Sequence, residues 1–237
     1  MMGHKMNTKK ELVESYNGWW HSIDFGDGVI SKGKKGYPNG REAIINTESW
    51  LDGIVFKDNR VLDIGAWDGY YSFYAERQDA KEVVAIDGNI WRQDFSYHRN
   101  KKGFDIAKTI LNSKVKDYIE NIEDMTPEKY GTFDIILFLG VLYHLQNPML
   151  AIKNINDLLN KGGKIVIETT TRNNDLDKPV MEFHHKNLLG NDNNNWWSPN
   201  ILCIEQMFNE FGKYIINQYK FNKRTKDRVS LTLEKIS

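Results

Sequence analysis

The chain has one cysteine in 237 residues, Cys203. No disulfide can form within it, and such sparse thiol usage suits a reducing compartment. It carries no excess charge, since 32 Lys and Arg balance 32 Asp and Glu. The global basic field that draws in nucleic acid is missing, although a local basic patch is still allowed. No apolar run is long enough to span a bilayer, and no signal-peptide core stands near the start, so a cytoplasmic protein is expected. There are no internal repeats. The opening Met1-Met-Gly-His-Lys-Met6 has the look of an added tag and carries no fold argument. What remains is ordinary for a globular chain: 40% hydrophobic and 27% charged residues. That length suits one α/β domain over 55–237 with a short N-terminal cap over 1–54.

The most informative stretch is Val61-Leu-Asp-Ile-Gly-Ala-Trp-Asp-Gly-Tyr70, followed by Val83-Val-Ala-Ile-Asp87. A short apolar run ending in Asp63 reads as a buried parallel strand. Gly65 and Gly69 then bend the chain into a helix that begins near Tyr70. A second apolar strand ends in Asp87, 22 residues after Gly65. That is close to the spacing at which a carboxylate meets a ribose diol in a βαβ unit. A pyrophosphate-binding loop needs a bare glycine in its middle, and here the middle position is Trp67. The turn therefore argues for a nucleoside cofactor without a pyrophosphate. Trp67, Tyr70, Tyr71 and the later Tyr143 supply aromatic faces of the kind that attract an onium cation. Core packing is the alternative, and the preferred one for Tyr71 and Phe73.

The spacing predicts an amphipathic helix over 8–22 and a polar, glycine-rich loop or short hairpin from Phe25 to Gly40. Strands are expected at Arg60–Ile64, Glu82–Asp87, Val115–Glu120, Phe133–Leu139 and Lys164–Glu168. Helices are expected at Tyr70–Arg77, Phe104–Leu111, Pro148–Leu159 and Ile201–Phe211, with a closing antiparallel pair at Lys213–Phe221 and Arg228–Leu233. An asparagine-rich insertion fills 172–197.

Asp63-Ile-Gly-Ala-Trp-Asp-Gly69, Ala85-Ile-Asp87 and Phe133-Asp-Ile-Ile-Leu-Phe-Leu-Gly-Val-Leu-Tyr-His-Leu-Gln-Asn-Pro148 resemble class I S-adenosylmethionine-dependent methyltransferases. Within that class, Gly140-Val-Leu-Tyr-His144 is similar to the group around the tRNA wobble-uridine carboxymethyltransferase, and more so to its shorter bacterial relatives. Trp20-His-Ser-Ile-Asp-Phe-Gly-Asp-Gly28 and Trp196-Trp-Ser-Pro-Asn200 also match those relatives. The resemblance implies a Rossmann-like seven-stranded sheet in the order 3-2-1-4-5-7-6, with helices on both faces. It implies S-adenosyl-L-methionine as cofactor, lying across the strand ends. Gly65, Ala66, Trp67, Gly69 and Tyr70 would meet its methionine portion, and Asp87 its ribose. Gly88, Asn89 and Ile90 would flank the adenine, Asn121 with Ile122 would meet its edge, and Leu139, Gly140 and Tyr143 would close the site near the sulfonium. Asp63 is either a ligand carboxylate or a turn cap; the resemblance favours the former. The carboxylated donor of the tRNA enzyme needs a cation, and Asn191-Asp-Asn-Asn-Asn195 offers none.

Methyl transfer needs an in-line geometry and, for a hydroxyl acceptor, a base. His144, just past the fourth strand, is the first candidate; otherwise its ring bonds the backbone of that turn. Glu168 is a second base or a helix cap, and His21 reaches over the site as part of a lid. His184-His185 with Glu182 and His144 suggests a metal only superficially, because adjacent histidines point apart, so no metal is expected. Met181–Trp197 would instead wall an acceptor pocket, with Trp196 or Trp197 as its flat surface. The expected acceptor is a small polar metabolite methylated on O or N. The alternative is RNA, gripped by Lys32–Arg41, Lys101 and Lys102.

Overall fold

Four largely apolar stretches lie side by side with both faces covered, and a short polar strand, Lys116–Tyr118, closes one edge. The protein is described by a computed structural model covering residues 8–34, 48–92, 100–172, 177–186, 188–221 and 227–237. Strands β1 (Arg60–Ile64), β2 (Glu82–Ile86), β3 (Lys116–Tyr118), β4 (Phe133–Leu139) and β5 (Leu159–Thr170) run parallel. A small antiparallel pair follows, β6 (Met181–Phe183) with β7 (Trp197–Pro199). Then β8 (Tyr214–Phe221) and β9 (Arg228–Lys235) return antiparallel, β9 against β5. The main sheet has the order β3-β2-β1-β4-β5-β9-β8. This is the expected 3-2-1-4-5-7-6 Rossmann-like arrangement, with β9 and β8 as its seventh and sixth strands.

Period-two alternation sends side chains to two cores. Leu62, Val84, Ile136 and Ile165 face α5 (Pro148–Leu158) and α6 (Ile201–Asn209), where Ile152, Ile155 and Phe208 are buried. Val61, Val83, Ile135 and Val166 face α2 (Tyr70–Arg77) and α3 (Lys102–Ile110), through Phe73 and Phe104. Trp19, Ile23 and Phe25 of the N-terminal segment join this second core. The helix starts follow local chemistry. Thr8 forms a capping box for α1 (Lys9–Glu14), Asn147 caps α5 and Asn200 caps α6.

Several boundaries differ from expectation. The helix expected over 8–22 stops at Glu14, and Trp19 and Trp20 lie beyond it in irregular chain. The Trp19 indole donates to the Val13 carbonyl, and Trp20 stacks on Trp67. These tertiary contacts outweigh the helical periodicity. The third strand is three residues long, so Asn121 lies past its end, before a 3₁₀ turn at Ile122–Asp124. The fifth extends at both ends, starting at Leu159 beside Phe133 and running on to Thr170. The asparagine-rich insertion contains β6, and β7 begins at its last residue, Trp197; the described residues between them are loop and turns. A short helix α4 (Pro127–Tyr130) was not expected.

Gly69 opens α2 at φ 82°, and a Cβ there would lie 2.4 Å from Phe73 and 2.7 Å from Phe104. Both rings are fully buried, so they cannot give way. Gly69→Ala is expected to cost about 2 kcal/mol or more of stability. Urea unfolding measures this, and a variant within about 0.5 kcal/mol of the parent would contradict the packing described.

Candidate functional site

The site grows from the ends of β1, β2 and β4, where an open α/β sheet binds its ligands. Asp63, second to last in β1, is buried beneath the glycine turn and accepts a hydrogen bond from Ser72 Oγ at 2.5 Å. Burial pushes its carboxyl up to about 7, with the charges of Asp87 and Asp68 adding to the effect. The folded state thus keeps a proton between about pH 4 and 7 that the unfolded chain has lost. Stability from the neutral acid is full below that window and is lost as pH rises through about 7. At most roughly 4 kcal/mol is at stake. Asp63→Asn mimics the neutral acid, so its melting-temperature advantage is expected to be larger at pH 8 than at pH 5. An equal shift at both values would count against a titrating Asp63.

Asp87 follows directly after β2 and is also buried. One oxygen accepts the backbone N–H groups of Asn89 (3.1 Å) and Ile90 (2.7 Å), the other that of Trp67 (3.2 Å). The carboxylate ties the two cofactor-type loops together. Burial raises its pKa and these three donors oppose the rise. Gly88 admits a close approach by Asn121, whose Oδ1 stands 1.8 Å from where a Cβ would be. Ile122 is buried just beyond. In the turn, Gly65 and Ala66 donate to the Ile86 carbonyl. Trp67 adopts φ 48° and stacks on Trp20 with ring centroids 4.6 Å apart. Its carbonyl accepts from the Trp91 indole at 2.6 Å. The bulky middle residue is thus turned onto the N-terminal segment. The Tyr70 hydroxyl donates to Glu48 at 2.7 Å.

Sequence reasoning passed over Asp68, the fourth residue of the same turn. It is 1% exposed and clamps the N-terminal segment. Its Oδ2 accepts the backbone N–H groups of Trp20 (2.9 Å) and His21 (2.7 Å), and its Oδ1 lies 2.6 Å from His21 Nδ1. The His21 ring stacks on Tyr70 and meets Tyr71 edge-on, with centroids at 5.1 and 5.4 Å. The signal was present as an acid between Trp67 and Gly69, but no local rule pairs it with a histidine 47 residues earlier.

At the β4 end, the Gly140 N–H donates to the Glu168 carbonyl at 2.8 Å, next to Leu139. Glu168 is 1% exposed and paired two-handed with Arg228, whose Nη2 lies 2.7 Å away. Burial works against the Arg228 charge, yet pairing with Glu168 more than offsets this and raises its pKa. One expectation for Glu168 is corrected here: it sits inside β5 rather than at its end and caps no helix, and the Arg228 guanidinium fork engages both of its oxygens. The stretch 191–195 carries no cation, as its sequence shows, but β9 delivers Arg228 to this end, 4.9 Å above the Tyr143 ring. Burial raises the Tyr143 hydroxyl above its ordinary value, while Arg228 opposes the rise.

His144 ends a 3₁₀ turn (Leu142–His144), and its Nδ1 contacts the Asn194 carbonyl at 2.9 Å. Together with the Trp196 N–H on the Tyr143 carbonyl and the Trp197 indole on that of Leu145, it moors the insertion to the β4 turn. His184 bonds Ser198 while His185 is exposed. Among the described residues no three His, Cys, Asp or Glu gather as a metal would require. No described helix is long and apolar enough to cross a membrane. Of the cations expected to grip RNA, Lys101 is engaged by Asp105 and Asp117. Those from Lys35 to Arg41 lie outside the described residues.

Whether a nucleoside cofactor fits can be judged from the turn itself. Asp87 Oδ2 accepts one long bond, which leaves lone pairs for hydroxyl donors. Trp67 Nε1 is buried without a hydrogen-bond partner in the same turn. Such a group is expected to find its partner in a ligand. The residues fit.

An open sheet with an acid at the end of β2 and a glycine turn after β1 defines a nucleoside-cofactor enzyme class. The chain belongs to the methyltransferase domain family, whose model matches residues 46–217. It is 30% identical over 161 residues to a tRNA U34 carboxymethyltransferase from Campylobacter fetus, covering 62% of this chain and 54% of that protein. The chain thus spans about half the length of the curated relatives it matches. Its fold is similar to the N-terminal domain of EvdMO1 with SAH bound, with TM-score 0.65, 14% identity and 99% of each chain covered. It also resembles 1,6-didemethyltoxoflavin-N1-methyltransferase of Burkholderia thailandensis, with TM-score 0.59, 16% identity, and 85% and 84% covered.

Proposed function

We propose that this protein transfers a methyl group from S-adenosyl-L-methionine to an O or N atom of a small polar metabolite. The observation that carries this is Asp87, buried at the end of β2 and tied to the Trp67 turn. In this reading Asp87 holds the ribose hydroxyls, Gly88, Asn89, Asn121 and Ile122 flank the adenine, and Gly65–Tyr70 meets the methionine portion. Leu139, Gly140 and Tyr143 close the methyl end. The cofactor supplies an electrophilic methyl carbon. The protein's own residues orient the acceptor, exclude water and take up a proton. Residues 1–54 act as the cap and 55–237 as the methyltransferase domain. The polar groups around Glu168 and Arg228 suit a hydroxylated or amino-bearing acceptor. The engaged state of Lys101 offers little to a phosphate backbone.

A second reading, tRNA wobble-uridine modification, is favoured by the relatives that are tRNA U34 carboxymethyltransferases and by Arg228 near the methyl end. One experiment separates the two. The protein is incubated with methyl-labelled S-adenosylmethionine and either total tRNA or a small-metabolite extract. Label in the metabolite fraction is expected. Label in tRNA alone would replace the first reading with the second.

A further inference from the structure

We infer that His21 is the general base of the transfer, held in its proton-accepting tautomer by Asp68, and that the acceptor atom is a hydroxyl oxygen. This rests on the methyl-transfer reading above and narrows it from O or N to O.

Three side chains are the candidate bases of the sequence, Glu168 within β5, His144 past β4 and His21 in the N-terminal segment, and their surroundings sort them. Glu168 is occupied by the Arg228 fork. His144 Nδ1 contacts the Asn194 carbonyl and so moors the insertion. His21 is oriented by a carboxylate, that of Asp68. That carboxylate is 1% exposed, and its other oxygen is fixed by two backbone N–H groups, so it cannot swing away. A carboxylate on Nδ1 selects the Nδ1–H tautomer and leaves the lone pair on Nε2. It also stabilises the imidazolium that forms when Nε2 takes a proton. The ring is locked between Tyr70 and Tyr71, directly against the turn expected to hold the methionine portion.

Tyr71 provides an independent observation. Its hydroxyl is buried without a hydrogen-bond partner among the described residues. It lies within electrostatic reach of Glu168, Asp63 and Asp68, and burial pushes it well above its ordinary range. It therefore stays protonated and is suited to donate a hydrogen bond to an acceptor oxygen. A neutral amine attacks with its own lone pair and needs no base beforehand, whereas an alcohol must lose its proton as it attacks. A carboxylate-backed imidazole beside a donor hydroxyl matches the alcohol. As the acceptor oxygen forms its bond to the methyl carbon, the carbon–sulfur bond breaks and its electron pair stays on sulfur. The hydroxyl proton passes to His21 Nε2, giving an ether and an imidazolium beside Asp68. Asp68 is a positioning residue in this scheme, because it touches only His21 and the backbone.

The test uses the 237-residue chain. Calorimetry with S-adenosylhomocysteine comes first, and failure of the wild type to bind it would overturn the methyl-transfer reading itself. With binding established, a long-range nitrogen–proton correlation spectrum reports the His21 tautomer, assigned through His21→Gln. The Nδ1–H form is expected in the wild type and a mixture of tautomers in Asp68→Asn. An Nε2–H form in the wild type overturns the His21 proposal alone, whether or not an acceptor has been found. With methyl-labelled S-adenosylmethionine and a metabolite extract, label is expected in an ether. His21→Gln is expected to slow that transfer about 10²–10⁴-fold while S-adenosylhomocysteine affinity stays within about threefold. Label on nitrogen, or an undiminished rate in His21→Gln, would also overturn it.

Discussion

Asp87→Ala is expected to weaken S-adenosylhomocysteine binding by about 10²–10⁴-fold. The ribose would offer two hydroxyl donors to a buried carboxylate, and each bond to a charged group contributes about 1.5–3 kcal/mol. The loss is compounded because Asp87 also holds the Trp67, Asn89 and Ile90 N–H groups in place. Removing it disorganises the turn that meets the methionine portion. Part of the effect will appear as lowered stability, so Asp87→Asn is the informative companion. The amide keeps an acceptor oxygen and the side-chain shape while losing the charge, and its affinity should fall between the two. Calorimetry on the folded variants measures both. An alanine variant that folds and binds within about threefold of the parent would sink the ribose assignment.

Arg228→Met should be the most destabilising single change near the site, at about 3–5 kcal/mol. It leaves Glu168, 1% exposed, as a buried carboxylate without its countercharge. In a domain of this size that corresponds to a fall in melting temperature of roughly 6–20 °C. Adding Glu168→Met should recover much of the loss, because two well-packed apolar side chains replace a desolvated pair at little net cost. If the double variant is as unstable as the sum of the singles, the two residues are not coupled as described. The same pair engages both Glu168 oxygens and places a guanidinium over Tyr143.

Much of the fold was legible because its signals are local. The run Phe133–Leu139 is apolar throughout and became β4 with the expected boundaries, as did Arg60–Ile64 and Tyr70–Arg77. Gly65, Gly69 and Asp87 could be read by spacing alone, since a βαβ crossover fixes where its turn and second strand end. The N-terminal segment was misread as one long helix because the periodicity of Leu12, Tyr16 and Trp19 is helical, while the partners that pull Trp20 and His21 away come from Trp67 and Asp68. Arg228 was missed for a similar reason. It reads as one charge in an alternating strand, and only pairing of β9 with β5 brings it to Glu168.

The sequence by itself determined the nucleoside cofactor class, through a turn and an acid at a set separation along the chain. The tertiary structure decided which acids and bases face each other. Asp68 with His21 and Glu168 with Arg228 are contacts across 47 and 60 residues. No periodicity or propensity encodes such pairs, because burial and charge pairing act through space and not along the chain.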